Sequence, residues 1–181
     1  MNKTRFTELK KDYINFVKKY TQEEGGMFPH ISVFGDDEDD VAALVHIPIP
    51  DEYMVDDDGK DRFIEEVLPK LSEMLCKRFD IYGVAWSSEA WVRVASKKEE
   101  MLDYKSLPVK EEILMISIES DFENEFNVYK IKRKGSQVTT EGNLVDSIQL
   151  TKDRELSKIN PKSEGRFVGL LNKIKKGGKN D

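Results

Sequence analysis

Glu89 is the one carboxylate in a long apolar stretch. It lies in Ile-Tyr-Gly-Val-Ala-Trp-Ser-Ser-Glu-Ala-Trp-Val-Arg-Val-Ala, Ile81 to Ala95, which holds both tryptophans of the chain. A run this apolar reads as a central strand. A carboxylate within it needs a hydrogen-bonding or charged partner, because burying it unpaired is costly. Strand alternation puts Glu89 on one face with Ser87, Trp91 and Arg93. An apolar setting raises a carboxyl pKa, which would suit Glu89 to general acid or base work. Held by backbone amides or an arginine, it would instead fix the register of the strands.

His30 and His46 are the only histidines. Each lies in a short strand-like segment, and the acidic loop Gly35–Asp40 separates the two. A hairpin pairing Phe34 with Ala42 would set His30 directly opposite His46, on the face away from Val45 and Ile47. Two imidazoles on one face could begin a metal site or share a proton. The other reading is two ordinary histidines, and the loop length leaves the register open.

Charge supplies the remaining candidates. Asp36, Asp37, Glu38, Asp39 and Asp40 form one acidic run, and Asp56 to Asp58 form another. The alternating spacing of a calcium loop is not met, so these read as solvated loops or as a negative patch for a basic partner. Lys173, Lys175 and Lys176 close a C-terminal amphipathic segment. There they favour the helix dipole or dock a partner. The net charge of −6 is uneven, with an acidic first half and a basic C-terminal stretch, which argues against general nucleic-acid binding.

Several reaction signatures are missing from the sequence. It has no phosphate loop, no dinucleotide-binding glycine turn, no Gly-x-Ser-x-Gly elbow, no His-Glu-x-x-His and no Cys-x-x-Cys. No cofactor is expected. Cys76 is the single cysteine and fits a small buried hydrophobe in a reducing compartment. The N-terminal residues lead into a charged amphipathic helix without an apolar signal region, so a cytoplasmic setting and no membrane segment are expected.

The positioning elements follow from periodicity. Phe6, Leu9, Tyr13, Phe16, Val17 and Tyr20 mark one face of a first helix, which Gly25-Gly26 ends. Phe28–Phe34 and Val41–Ile49 read as a hairpin; Pro48 and Pro50 limit pairing, so the end of the second strand should be an edge or leave the sheet. A helix over 61–79 should kink or break at Pro69. Strands are expected over 81–95, 112–120, 126–133, 137–140 and 144–150, then a short helix over 166–176. A charged linker, 96–110, interrupts them. With 181 residues, one α+β domain over 1–176 and a flexible tail over 177–181 are expected. Its sheet should be mainly antiparallel, of five or six strands, with helices on one face and a C-terminal helix.

Val67-Leu-Pro-Lys-Leu71, then Trp86-Ser-Ser-Glu-Ala-Trp91, then Glu111-Glu-Ile-Leu-Met115 resemble a loose group of small uncharacterised proteins of phage and bacterial genomes. They share a Ser-Glu-Ala-Trp strand after a helix. The resemblance covers residues 28–120, and it implies a genomic context without a mechanism. The acidic loop and the basic tail lie outside it. The combined expectation is a non-enzymatic interaction or accessory protein. It would be phage or mobile-element encoded, acting in the host cytoplasm on an unidentified protein partner, its oligomeric state open. The rival is a small metal- or carboxylate-dependent hydrolase using Glu89 with His30 and His46, which requires the three to converge in one cleft.

Overall fold

Strand β1 (His30–Asp36) is buried at every one of its seven residues, so its alternating side chains feed two cores. The computed structural model describes residues 3–93, 110–142 and 169–177. β1 pairs with β2 (Ala42–Pro48) on one side and with β3 (Asp80–Arg93) on the other. Then follow β4 (Lys110–Ser120), β5 (Asn124–Lys134) and β6 (Gln137–Glu141). The order is β2-β1-β3-β4-β5-β6, and every neighbouring pair is antiparallel. The class is α+β, with a curled, half-barrel sheet.

The first helix, α1 (Lys3–Glu24), explains the curl. Its Phe6, Tyr13 and Val17 are fully buried against Phe34, Tyr82, Leu114, Ile116 and Tyr129 of the sheet. Phe16 stacks on His46 of β2 at 4.6 Å between ring centres, while Gln22 donates to Thr140 of β6 at 2.9 Å. β2 and β6 are opposite edges of the sheet, so one helix touches both only if the sheet wraps around it. Gly83 permits the close approach of α1, since a Cβ there would sit 3.1 Å from the Phe6 ring.

The second core lies on the other face. A short helix α2 (Asp57–Arg62) passes through a π-helical turn, Phe63–Val67, into α3 (Leu68–Cys76). Pro69 stands in the first turn of α3, so the expected break falls where the missing proline N–H costs least. The C-terminal helix, α4 (Leu170–Gly177), lays Leu170, Leu171 and Ile174 against Phe63, Leu68, Ile31 and Val84. The helices thus divide between the two faces of the sheet instead of gathering on one. β1 is buried on both sides, and the first half of β3 is apolar on both, so each side needs cover.

Sequence and structure differ at several boundaries. Asp36, read as loop, is the last residue of β1. Gly177, placed in the tail, ends α4, where a Cβ would lie 2.9 Å from Ser72 Cβ. The strand expected over 144–150, most of the charged linker, and the tail after Gly177 lie outside the described residues. Among the described residues, no helix is long and apolar enough to cross a membrane.

Candidate functional site

Between α1 and the sheet lies a buried polar network. His30, Ser32 and Ser87 are all fully buried, as is Tyr13 above them. β1 directs His30, Ser32 and Phe34 toward α1 and sends Ile31 and Val33 to the second core. His30 pairs with Ser87 across β1 and β3, which puts their side chains together. Nδ1 of His30 lies 3.2 Å from the Phe28 carbonyl, which can only accept, so the proton of the neutral ring sits on Nδ1. Nε2 then accepts from the Tyr13 hydroxyl at 3.2 Å. Ser87 Oγ sits 3.1 Å from Nδ1 and 3.2 Å from Nε2.

Burial sets the protonation of this network. It pulls the His30 pKa down to about 4, opposed by the Phe28 carbonyl and helped by the nearby His46. It pushes Tyr13 up to about 12, opposed by hydrogen bonds from Ser87 and Ser32. His46 is also lowered by burial.

The hairpin register differs from the expected one. Phe34 pairs with Leu44, and His46 stands opposite Ser32. The reason is the turn. Asp37 N–H donates to the Val41 carbonyl, and Oδ1 of Asp37 accepts from the N–H groups of Asp39 and Val41, so the chain reverses over few residues. The two imidazoles still meet diagonally, with ring centres 5.7 Å apart. Ser32 Oγ lies 2.7 Å from Nδ1 of His46. That is the spacing of a nucleophile and its base, but the Ser32 hydroxyl is sealed beneath α1. Among the described residues, no group of three His, Cys, Asp or Glu side chains is arranged to hold a metal ion.

Glu89 belongs to a second cluster, at the end of α1. Its Oε1 accepts from the Met27 N–H at 2.6 Å, and its Oε2 accepts from Arg133 Nη2 at 3.1 Å. Arg133 also donates to Glu112 from Nη2 at 2.5 Å and from Nε at 2.8 Å, and Nη1 donates to the Gly25 carbonyl. Burial raises the Glu89 pKa, opposed by Met27 and Arg133. Arg133 holds Glu112 below the ordinary carboxylate range. Glu89 and Glu112 thus share one guanidinium nitrogen, Arg133 Nη2. Glu89 faces the same side as His30. Among the described residues, however, no hydrogen bond or ring contact joins it to either imidazole.

Glu112 and Arg133 escape a reading of the sequence because they reach Glu89 only through the β3–β4–β5 register. Trp91 pairs with Glu112, and Ile113 with Lys130. Tyr13, Ser32 and Ser87 carried a fainter signal, as polar groups on otherwise apolar faces.

The acidic run is partly internal. Asp36 is buried, accepting from Arg5 at 3.2 Å and from the Tyr82 hydroxyl at 3.4 Å, so it is not part of an exposed patch. Asp40 binds the same guanidinium through its carboxylate and its carbonyl. Glu38 and Asp39 remain exposed. On α4, Lys175 donates to Asp121 at 2.6 Å, while Lys173 and Lys176 are exposed. Compared with protein families, with curated proteins and with solved structures, the chain matches none.

Proposed function

We propose that this chain is a non-enzymatic protein-interaction module that works through surface chemistry on the hairpin side of the sheet. One contrast carries the reading. The groups capable of catalysis spend their hydrogen bonds on one another, while apolar and acidic groups elsewhere on the hairpin face solvent. His30 is closed in by Tyr13, Phe28 and Ser87. Glu89 is committed to Met27 and Arg133. Phe16, stacked on the exposed His46, and Phe28 are by contrast each 38 % exposed, and Glu38 and Asp39 are exposed at the opposite end of the hairpin. Exposed aromatic groups are what protein interfaces select for their centre, with polar groups at the rim.

The partner in this reading is a protein and not a nucleic acid, in keeping with the net charge of −6. An accessory role for a phage or mobile element in the host cytoplasm accords with the Ser-Glu-Ala-Trp resemblance. Capture experiments from a bacterial lysate test the function. The immobilised chain should retain a stoichiometric protein, and a Phe16→Ser, Phe28→Ser variant of unchanged fold should lose it. No retained protein, together with a hydrolytic activity that Glu89→Gln abolishes, would overturn the proposal in favour of an enzyme.

A further inference from the structure

Edge strand β2 presents an unusual surface. Its ladder to β1 uses odd-numbered residues, because Ile49 N–H donates to Pro29 O and Asp37 N–H donates to Val41 O at its two ends. The alternation of antiparallel pairs then turns the backbone groups of Ala42, Leu44 and His46 outward, with the Pro48 carbonyl. Among the described residues, nothing pairs with that outer side. Edge strands are usually blunted by lysines, inward charges or a bulge. β2 reads Ala-Ala-Leu-Val-His-Ile-Pro and carries no charged residue. Pro48, at its end, is its one protective feature.

The surroundings say what would cover it. No lysine or arginine occurs between Lys19 and Lys60, a stretch that contains β1, β2 and both flanking loops. Carboxylates stand at each end of β2: Glu38 and Asp39 at the turn, and Asp51 and Glu52 beyond Pro50, all exposed. Arg5 reaches the turn but is taken by Asp36 and Asp40, while Lys77, which binds Glu73, and Arg78 line the groove beside the turn. A second copy of the chain, paired β2 to β2 about a twofold axis, would bring the turn of one protomer against the Asp51–Glu52 end of the other. That sets acid against acid.

We infer that β2 accepts an added strand from a protein partner, an extended segment of alternating apolar residues flanked by lysine or arginine. Main-chain bonds to Ala42, Leu44 and His46 supply affinity, and side chains on the α1 side meet Phe16 and Phe28. The flanking cations meet the two acidic ends. The inference rests on the interaction reading and specifies its partner.

The probe is the peptide Lys-Lys-Val-Thr-Val-Thr-Val-Lys-Lys, with a control in which glutamates replace the lysines, titrated by fluorescence anisotropy onto the whole chain. The lysine peptide should bind, more weakly as salt rises, and the glutamate peptide should not. Ala42→Pro deletes an outward N–H while sparing the β1 ladder, and should weaken binding about tenfold. A second variant, Glu38→Lys with Asp39→Lys, leaves the strand alone and should reduce the preference for the lysine peptide. Circular dichroism confirms the fold of each. Binding indifferent to both variants, no binding of either peptide, or a β2-dependent dimer in sedimentation would each overturn the inference. A lysate partner still captured by Ala42→Pro would refute strand addition and leave the interaction reading standing. Loss of all capture by the unaltered chain would end both.

Discussion

The Tyr13 hydroxyl lies 3.2 Å from Nε2 of His30, and both side chains are fully buried. This contact ties the first helix to the polar interior of the sheet, with Ser32, Ser87 and His46 gathered around it. A buried polar network of this kind is costly when incomplete and specifies one packing when complete. It therefore dictates how α1 seats in the half-barrel.

Acid should loosen that seat. His30 is neutral in the folded chain, its pKa down at about 4 against an ordinary 6.5. Unfolding restores the ordinary value, so between these limits the unfolded chain takes up a proton that the folded chain refuses. The contribution is whole above pH 6.5 and is lost as pH falls through about 4. His46, also lowered, acts in the same direction. Urea unfolding across this window should show stability dropping by up to ~3 kcal/mol. His30→Gln should flatten the slope. An unchanged slope in that variant would assign the acid sensitivity to His46 or to carboxylates.

Tyr13→Phe removes one hydroxyl and keeps the ring that packs on Phe34 at 5.6 Å. His30 Nε2 then loses its phenolic donor. Ser87 Oγ, 3.2 Å from Nε2, stays within reach, so the expected cost is about 1 kcal/mol, that of one lost hydrogen bond. Tyr13→Ala should cost about 3–5 kcal/mol, because a cavity is added. Thermal melts of the two variants distinguish a working network from simple packing: equal Tyr13→Phe and wild-type stabilities would mean that the hydroxyl contributes nothing.

Much of this arrangement follows from residue patterns, and the part that does not follows from register. The aromatic stripe of α1, the break at Pro69 and the edge position of β2 each rest on local rules, namely helical period, proline chemistry and missing N–H donors. Glu89 illustrates the limit. The need for an amide or an arginine was evident from its apolar neighbours, and Arg93 was the nearest choice. The arginine that binds it is Arg133, 44 residues away. Only the stacking of β3, β4 and β5 brings the two together. The histidine pair shows the same limit at shorter range, since the Asp37 turn decides which residue faces which. The two-faced cover of the sheet depends on β1 being buried on both sides, which His30 and Ser32 allow only because they find partners.

The Arg133 cluster should behave as a coupled unit. Arg133→Met leaves Glu89 and Glu112 close together without their shared cation, and a loss of about 1–3 kcal/mol is expected. Glu112→Gln in the same background should cost less than it does alone, giving a coupling of about 0.5–3 kcal/mol in a double-mutant cycle. Additive effects would show that the guanidinium bonds are screened by solvent. Glu89→Gln retains an acceptor for the Met27 N–H, so it should be milder than Glu89→Ala.

The last helix depends on one carboxylate. Glu119 of β4 accepts from the Gly169 N–H at 2.7 Å and from the Leu171 N–H at 3.2 Å, satisfying free donors at the start of α4 and complementing the positive end of its dipole. Lys175, one helix length on, pairs with Asp121 of the same strand end, so α4 is pinned to the sheet at both of its ends. Between these points Leu170, Leu171 and Ile174 pack on α3 and the second core. Glu119→Ala removes the cap and should cost about 1 kcal/mol, the usual value of a helix N-cap. The loss should be local. In hydrogen exchange the amides of Leu170–Gly177 should speed up, while those of β1 and β3 keep their protection, because those strands are also held by the first core, which contains no residue of α4. Uniform acceleration across the sheet would mean instead that α4 unfolds only with the whole domain, and that the second core is as essential to global stability as the first.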